Sequence, residues 1–141
     1  MHRRVAAAVA AVLALGVASC GESSEPLTRA QLQNRIEAAC RQAAQRAQDG
    51  GRTADDFFAM VLTAQRDLVE RVEGLDPPDE LSDTVERLQE GLTQRADAIA
   101  DVADAPRGEQ QRAAASINER LEAITRDVEA ALSDLGVRGC A

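Results

Sequence analysis

The amino-acid sequence predicts an all-α domain, an up-down four-helix bundle over residues 28–141. Three observations carry that expectation. Apolar residues recur at spacings of three and four along four stretches, and nowhere alternate with the two-residue rhythm of a strand. Breaks rich in Gly or Pro separate the stretches: Asp49-Gly50-Gly51, Gly74 to Pro78, and Ala105-Pro106. Breaks that short make successive helices antiparallel neighbours. The chain of 141 residues holds one modest core, and no composition shift marks a second domain.

The first helix begins at Thr28, whose hydroxyl is a good N-cap. Gln31 three residues on completes a capping box, and Leu27 with Leu32 forms a hydrophobic staple. Leu32, Ile36, Ala39, Cys40, Ala43 and Ala47 share one face, rich in small side chains. The second helix starts at Thr53, with Asp56 in the first turn, where the helix dipole favours an acid. Its main stripe is Phe57, Val61, Ala64, Leu68 and Val72, broadened by Phe58, Leu62 and Val69. Gly74 reads as a C′ residue with Leu75 folding back onto Val69, and Pro77 stops the helix. Of the two phenylalanines, the only aromatic residues, one is expected in the core and one at its rim. The alternative is a patch lining a ligand.

Pro78 suits the first position of the third helix, with Asp79 and Glu80 in its first turn. Leu81, Val85, Leu88, Leu92, Ala96, Ile99 and Ala103 make its apolar stripe. Asp97, Asp101 and Asp104 share another face. Carboxylates on a straight helix lack the wrapping loop that Ca²⁺ prefers, so they read as solvated, like Asp83, Glu86 and Glu90, and no metal is expected. The fourth helix opens at Pro106, with Gly108 weakening its first turn. Ala114, Ile117, Leu121, Ile124, Val128, Ala131 and Leu135 then alternate threes and fours, and Gly136 caps the helix with Val137 folding back. Such a heptad suits a coiled-coil dimer, but four helices of this kind satisfy one another internally, so a monomer is expected.

Composition narrows the chemistry. The chain has no Lys, Tyr or Trp, and its one histidine is His2. A Ser-His-Asp or Cys-His arrangement and a Glu-x-x-His di-iron site therefore cannot be built within the domain. No Gly-rich phosphate loop appears, so no catalytic residue and no cofactor is expected. Sixteen basic residues against 24 acids give a formal charge of −8. Such a charge repels nucleic acid, and two phenylalanines offer no platform for stacking bases.

The N-terminus carries the most specific signal. His2, Arg3 and Arg4 form a basic start, and Val5 to Val17 follow without a polar side chain. That stretch spans about 20 Å as a helix, short of the roughly 30 Å hydrocarbon core, as a secretory signal is. Val17-Ala18-Ser19-Cys20 closes it with an aliphatic residue, two small residues and a cysteine. This arrangement resembles the bacterial lipoprotein signal; an ordinary secretory signal with a chance cysteine, or an uncleaved anchor, are the alternatives. The resemblance implies a thioether-linked diacylglycerol on Cys20, with palmitate-type acyl chains, and cleavage between Ser19 and Cys20. Residues 1–19 would then be a signal peptide and 20–27 a lipidated tether. Loss of Arg3 and Arg4 with the signal takes the formal charge from −8 to −10. The protein would sit on the outer side of the cell membrane, or in the outer membrane where there is one, held by covalent lipid rather than by charge. The general layout is similar to small exported helical lipoproteins of uncharacterised function, and such likeness transfers no functional residue.

With Cys20 lipidated, Cys40 and Cys140 remain, in a space where disulfides persist. A bond between them is expected; two free thiols, Cys40 serving only as a small packing residue, are the alternative. In an up-down bundle the bond requires the tail from Gly136 to Gly139 to turn back and climb the first helix. These readings favour a non-enzymatic module that docks an envelope protein partner or acts as a spacer, with Arg87, Arg95, Arg120 or Arg126 as contact candidates. A binder of a small apolar ligand or lipid near Phe57, Phe58 and Met60 is the second reading, and an enzyme built on carboxylates alone the third.

Overall fold

The computed structural model describes residues 25–49, 53–106, 108–138 and 140. The signal, the Val17–Cys20 box, the tether up to Ser24, the Gly50-Gly51 break and Gly139 lie outside them. Among the described residues the fold is all helical: α1 (Arg29–Gln48), α2 (Ala54–Glu73), a 3₁₀ turn (Asp79–Leu81), α3 (Ser82–Ala103), α4 (Gln110–Ser116) and α5 (Asn118–Leu135). Helices α1, α2 and α3 and the pair α4–α5 form the four legs of the up-down bundle.

The N-terminal caps form as the sequence predicts. The Thr28 amide donates to Gln31 Oε1 (2.9 Å) and the Gln31 amide to Thr28 Oγ1 (3.3 Å), closing the capping box. The Asp56 amide donates to Thr53 Oγ1 (3.1 Å). The Leu27 amide donates to the Asp76 carbonyl (2.8 Å), pinning the start of α1 to the link after α2.

Helix α3 is the centre. It packs closely against both α2 and α5 and also receives α4, whereas α1 packs closely on α2 alone. A helix with neighbours on two sides needs more than one stripe. Beside Leu81, Val85, Leu88, Leu92 and Ala96, residues Gly91, Ala98 and Val102 are also buried. At Gly91 α5 lies close: a Cβ there would lie 2.7 Å from Val128 Cγ2. The core is thickest at the end where α1 begins, where Leu32, Ile36, Val72, Val85, Leu88 and Leu135 are fully buried.

Three expectations need correction. The third leg does not open with Pro78 in the helix; Pro78 is extended (φ −65°, ψ 149°) and a 3₁₀ turn follows, which drives Leu81 into the core. The fourth leg is two helices. Ile117 leaves helical geometry (φ −103°, ψ 1°), and its amide reaches only the i−3 carbonyl of Ala114, at 3.4 Å. Ser116 Oγ donates to the Ala113 carbonyl (2.7 Å), a local bond that competes with the helix ladder. The upper half of that heptad, Ala114, Ile117 and Leu121, is accordingly only half-buried. Lastly, Gly74 is not a left-handed cap. It continues the turn at φ −77°, its amide donating to the Glu70 carbonyl (3.1 Å).

Gly136 does take the left-handed conformation, at φ 75°. Its amide donates to the Ser133 carbonyl (3.0 Å) and the Val137 amide to the Leu132 carbonyl (2.9 Å), a Schellman motif. Val137 and Leu132 are both buried in the core cluster, as the hydrophobic contact of that motif requires.

The α3–α5 crossing is open to test by urea unfolding. Gly91→Ala is expected to lower stability by about 1–2 kcal/mol through overpacking, although alanine normally gains about 1 kcal/mol over glycine inside a helix. In a Val128→Ala background the same change is expected to stabilise. Equal destabilisation in both backgrounds would mean that contact with Val128 is not the cause.

Candidate functional site

Cys40 and Cys140 are joined by a disulfide, with their Cα atoms 5.0 Å apart. The tail makes the predicted climb, and the climb is short because α5 ends level with Gln33. The Gln33 side-chain amide donates to the Leu135 carbonyl (2.8 Å). The Arg138 amide donates to Glu37 Oε1 (3.3 Å), and the disulfide follows at position 40. Positions 33, 37 and 40 lie on one face of α1 at successive turns, so the tail is a strap laid up that face. A Cβ on Gly136 would come within 2.7 Å of Gln33 Nε2. Glycine is thus favoured there by its positive φ, and a Cβ would also have to displace the end of the Gln33 side chain.

Above the disulfide, α1 offers Ala43, Ala44 and Ala47, too small to fill the space towards α2 and α3. A cleft of about 160 Å³ results, with Val61, Ala64, Gln65 and Leu68 of α2 on one side and Arg95 of α3 on another. Gln65 is only 7% exposed. Its side-chain amide donates to the Leu92 carbonyl (3.5 Å), and its Oε1 accepts from Arg95 Nε (3.1 Å). Burial lowers the pKa of the Arg95 guanidinium, because desolvation disfavours the cation. Its pKa nonetheless lies too high for the charge to be lost at neutral pH. The burial penalty is therefore constant across the neutral range and is relieved only as the pH rises through the folded-state pKa.

The other arginines picked out in the sequence are placed differently. Arg87 Nη2 meets Asp134 Oδ2 at 3.0 Å, with both side chains 57% exposed. Arg120 pairs with Asp101 at 3.5 Å, and Arg126 Nε donates to the carbonyl of Glu122 in its own helix (3.4 Å). Exposed pairs of this kind contribute at most about 1 kcal/mol. No carboxylate lies at ion-pair distance from Arg95 among the described residues.

The phenylalanines correct another expectation. Phe57 is 46% exposed and Phe58 half-buried, their rings edge to face with centroids 5.6 Å apart. Neither belongs to the core cluster. They sit in the first turn of α2, beside the end of α1, whose last apolar residues are alanines. The cleft itself lies one to three turns further along α2 than the Phe57, Phe58 and Met60 region. The signal for it was the pair Gln65 and Arg95, polar side chains flanking apolar stripes at Ala64 and Ala96.

Asp97, Asp101 and Asp104 are all exposed, and no group of three or more metal-ligating side chains converges among the described residues. Nor is any described helix long and apolar enough to cross a membrane. Comparison with protein-family models, with characterised proteins and with solved structures yields no match.

Because the strap hangs on one covalent bond, Cys40→Ser and Cys140→Ser are each expected to lower stability by about the same amount, some 2–5 kcal/mol. The double variant is expected to be little worse than either. Chemical denaturation measures all three, and alkylation with intact-mass analysis reports the thiols directly. Two freely alkylated cysteines in the native protein would remove the premise.

Proposed function

We propose that this protein is a membrane-anchored envelope lipoprotein whose bundle works without enzymatic chemistry, as a protein-interaction or spacer module close to the bilayer. The observation that carries this reading is the sequence run from the basic start through the apolar stretch to Val17-Ala18-Ser19-Cys20. Six residues, Gly21 to Pro26, separate that cysteine from Leu27. Fully extended they reach about 20 Å, so a lipid on Cys20 would keep the bundle near the surface.

The arrangement of the bundle supports the same reading. Its best-packed end, where Leu27 is tied to Asp76, is the end next to the tether. The 20 residues of α1 run about 30 Å to the other end, where Phe57 is exposed. A module anchored in this way would present Phe57, the one exposed large apolar side chain among the described residues, away from the membrane, next in sequence to the exposed acid Asp56. The Cys40–Cys140 bond fits an oxidising compartment outside the cytosol.

Mass spectrometry of the N-terminus tests the anchor. The wild-type chain is expected to begin at Cys20 and to carry diacylglycerol, and Cys20→Ala to accumulate as an unlipidated precursor that keeps residues 1–19. A mature chain that starts elsewhere and lacks acyl mass would overturn the assignment. A photo-crosslinking residue at position 57, in intact cells, is expected to give a discrete protein adduct that the same residue at position 97 does not; a spacer gives none at either.

A further inference from the structure

The Arg95 cleft goes beyond an anchoring or docking role, since it lies between α1, α2 and α3, half open to solvent, and would work with or without a partner. A guanidinium partly withdrawn from water often has a carboxylate beside it, because even partial desolvation of the cation is otherwise uncompensated. Here the chain carries 24 acids, yet among the described residues Arg95 is met only by the neutral amide of Gln65. Gln65 Nε2 is held in turn by the Leu92 carbonyl, which fixes the amide so that its oxygen faces Arg95 Nε. With Nε so occupied, the remaining N–H groups of the guanidinium are left for another acceptor. The walls beside it are apolar and small, formed by Ala43 and Ala47 of α1 and Val61 and Ala64 of α2. Their volume of about 160 Å³ matches the roughly 150 Å³ that holds a benzene ring in a protein interior.

We propose that this cleft binds a small organic carboxylate, one anionic group carrying an apolar body no larger than a benzene ring. The carboxylate would lie against the Arg95 fork, which suits two parallel N–H···O bonds. The apolar body would fill the space that the alanines of α1 leave open. Charge sets the selectivity. A cation of the same shape would meet a second positive charge, and a neutral alcohol would leave the guanidinium uncompensated.

Benzoate is the probe, titrated into the purified full chain with its disulfide formed, followed by calorimetry and by the arginine Nε–Hε NMR signals. Saturable binding is expected, with the Arg95 signal shifted most and Arg87, on the exposed surface, unmoved. Benzyl alcohol and benzylammonium are expected to bind at least ten-fold more weakly. Arg95→Gln is expected to lose benzoate by ten-fold or more with its helical circular dichroism retained. Ala47→Leu, which fills the apolar part and leaves the guanidinium in place, is expected to lose it as well, and decides the matter should Arg95→Gln not fold. Absence of binding, equal binding of benzyl alcohol or benzylammonium, or unchanged affinity in a folded Arg95→Gln or Ala47→Leu variant would each overturn the proposal. None of these outcomes depends on whether Cys20 carries lipid.

Discussion

The strap from Leu135 to Cys140 closes the only side of the bundle that helix packing leaves open. Helices α1 and α2, α2 and α3, and α3 and α5 pack closely in turn, while α1 and α5 are bridged by the tail. Beyond Ile36, the apolar residues that α1 offers to its neighbours are Ala39, Cys40, Ala43, Ala44 and Ala47, and alanines bury little area. A disulfide closing a loop of 100 residues contributes about 4.7 kcal/mol on the chain-entropy account. Burying a whole leucine contributes about 1.5–3 kcal/mol. The bond therefore stands in for roughly two large side chains that α1 lacks. Its two flanking hydrogen bonds, from Gln33 and to Glu37, set the register in which the cysteines meet.

That construction makes the two ends of the bundle unlike. Near the start of α1, leucines, isoleucine and valines from all four legs meet in the core, and the Gly136 turn lets the tail return with the Gly136, Val137 and Arg138 amides paired. Towards the far end, α1 runs out in alanines and the fourth leg breaks at Ile117. The space left there is the cleft lined by the polar pair Gln65 and Arg95, and Phe57 stays at the surface. Packing density, rather than any motif, thus divides the molecule into a rigid base and a more open end. Both candidate points of contact, the Phe57 tip and the Arg95 cleft, belong to the open end.

The acidic surface adds to this division. A protein with a formal charge of −8 repels polyanions at a distance. A half-buried guanidinium at the wall of a cleft of about 160 Å³ would admit a small anion more readily than a phosphate backbone or a flat bilayer. Arg87 and Arg120, by contrast, are spent on exposed pairs with Asp134 and Asp101, where water and salt screen them.

The features that the sequence by itself determined are those made between residues a few positions apart. Thr28 with Gln31 and Thr53 with Asp56 build their caps within three residues, so the pattern contains the whole interaction. The stripes that bury Leu32, Ile36, Leu68, Val72, Val85 and Leu88 follow in the same way from helical spacing. The pairing of Cys40 with Cys140 was legible for another reason: with Cys20 read as the lipid-bearing residue, the expectation left two cysteines that had only each other. Tertiary structure alone decided how many neighbours each helix has. One periodic stripe on α3 did not disclose that Gly91 would lie under Val128, nor did the unbroken heptad of the fourth leg reveal the break at Ile117. The two glycine caps make the reason plain. Gly74 and Gly136 each end an apolar helix and precede an apolar residue, yet only Gly136 takes a positive φ. After Gly74 the chain runs on extended, with Asp76 bonded to Leu27. After Gly136 it must turn back up α1 to reach Cys40, a demand set by a residue some 100 positions away.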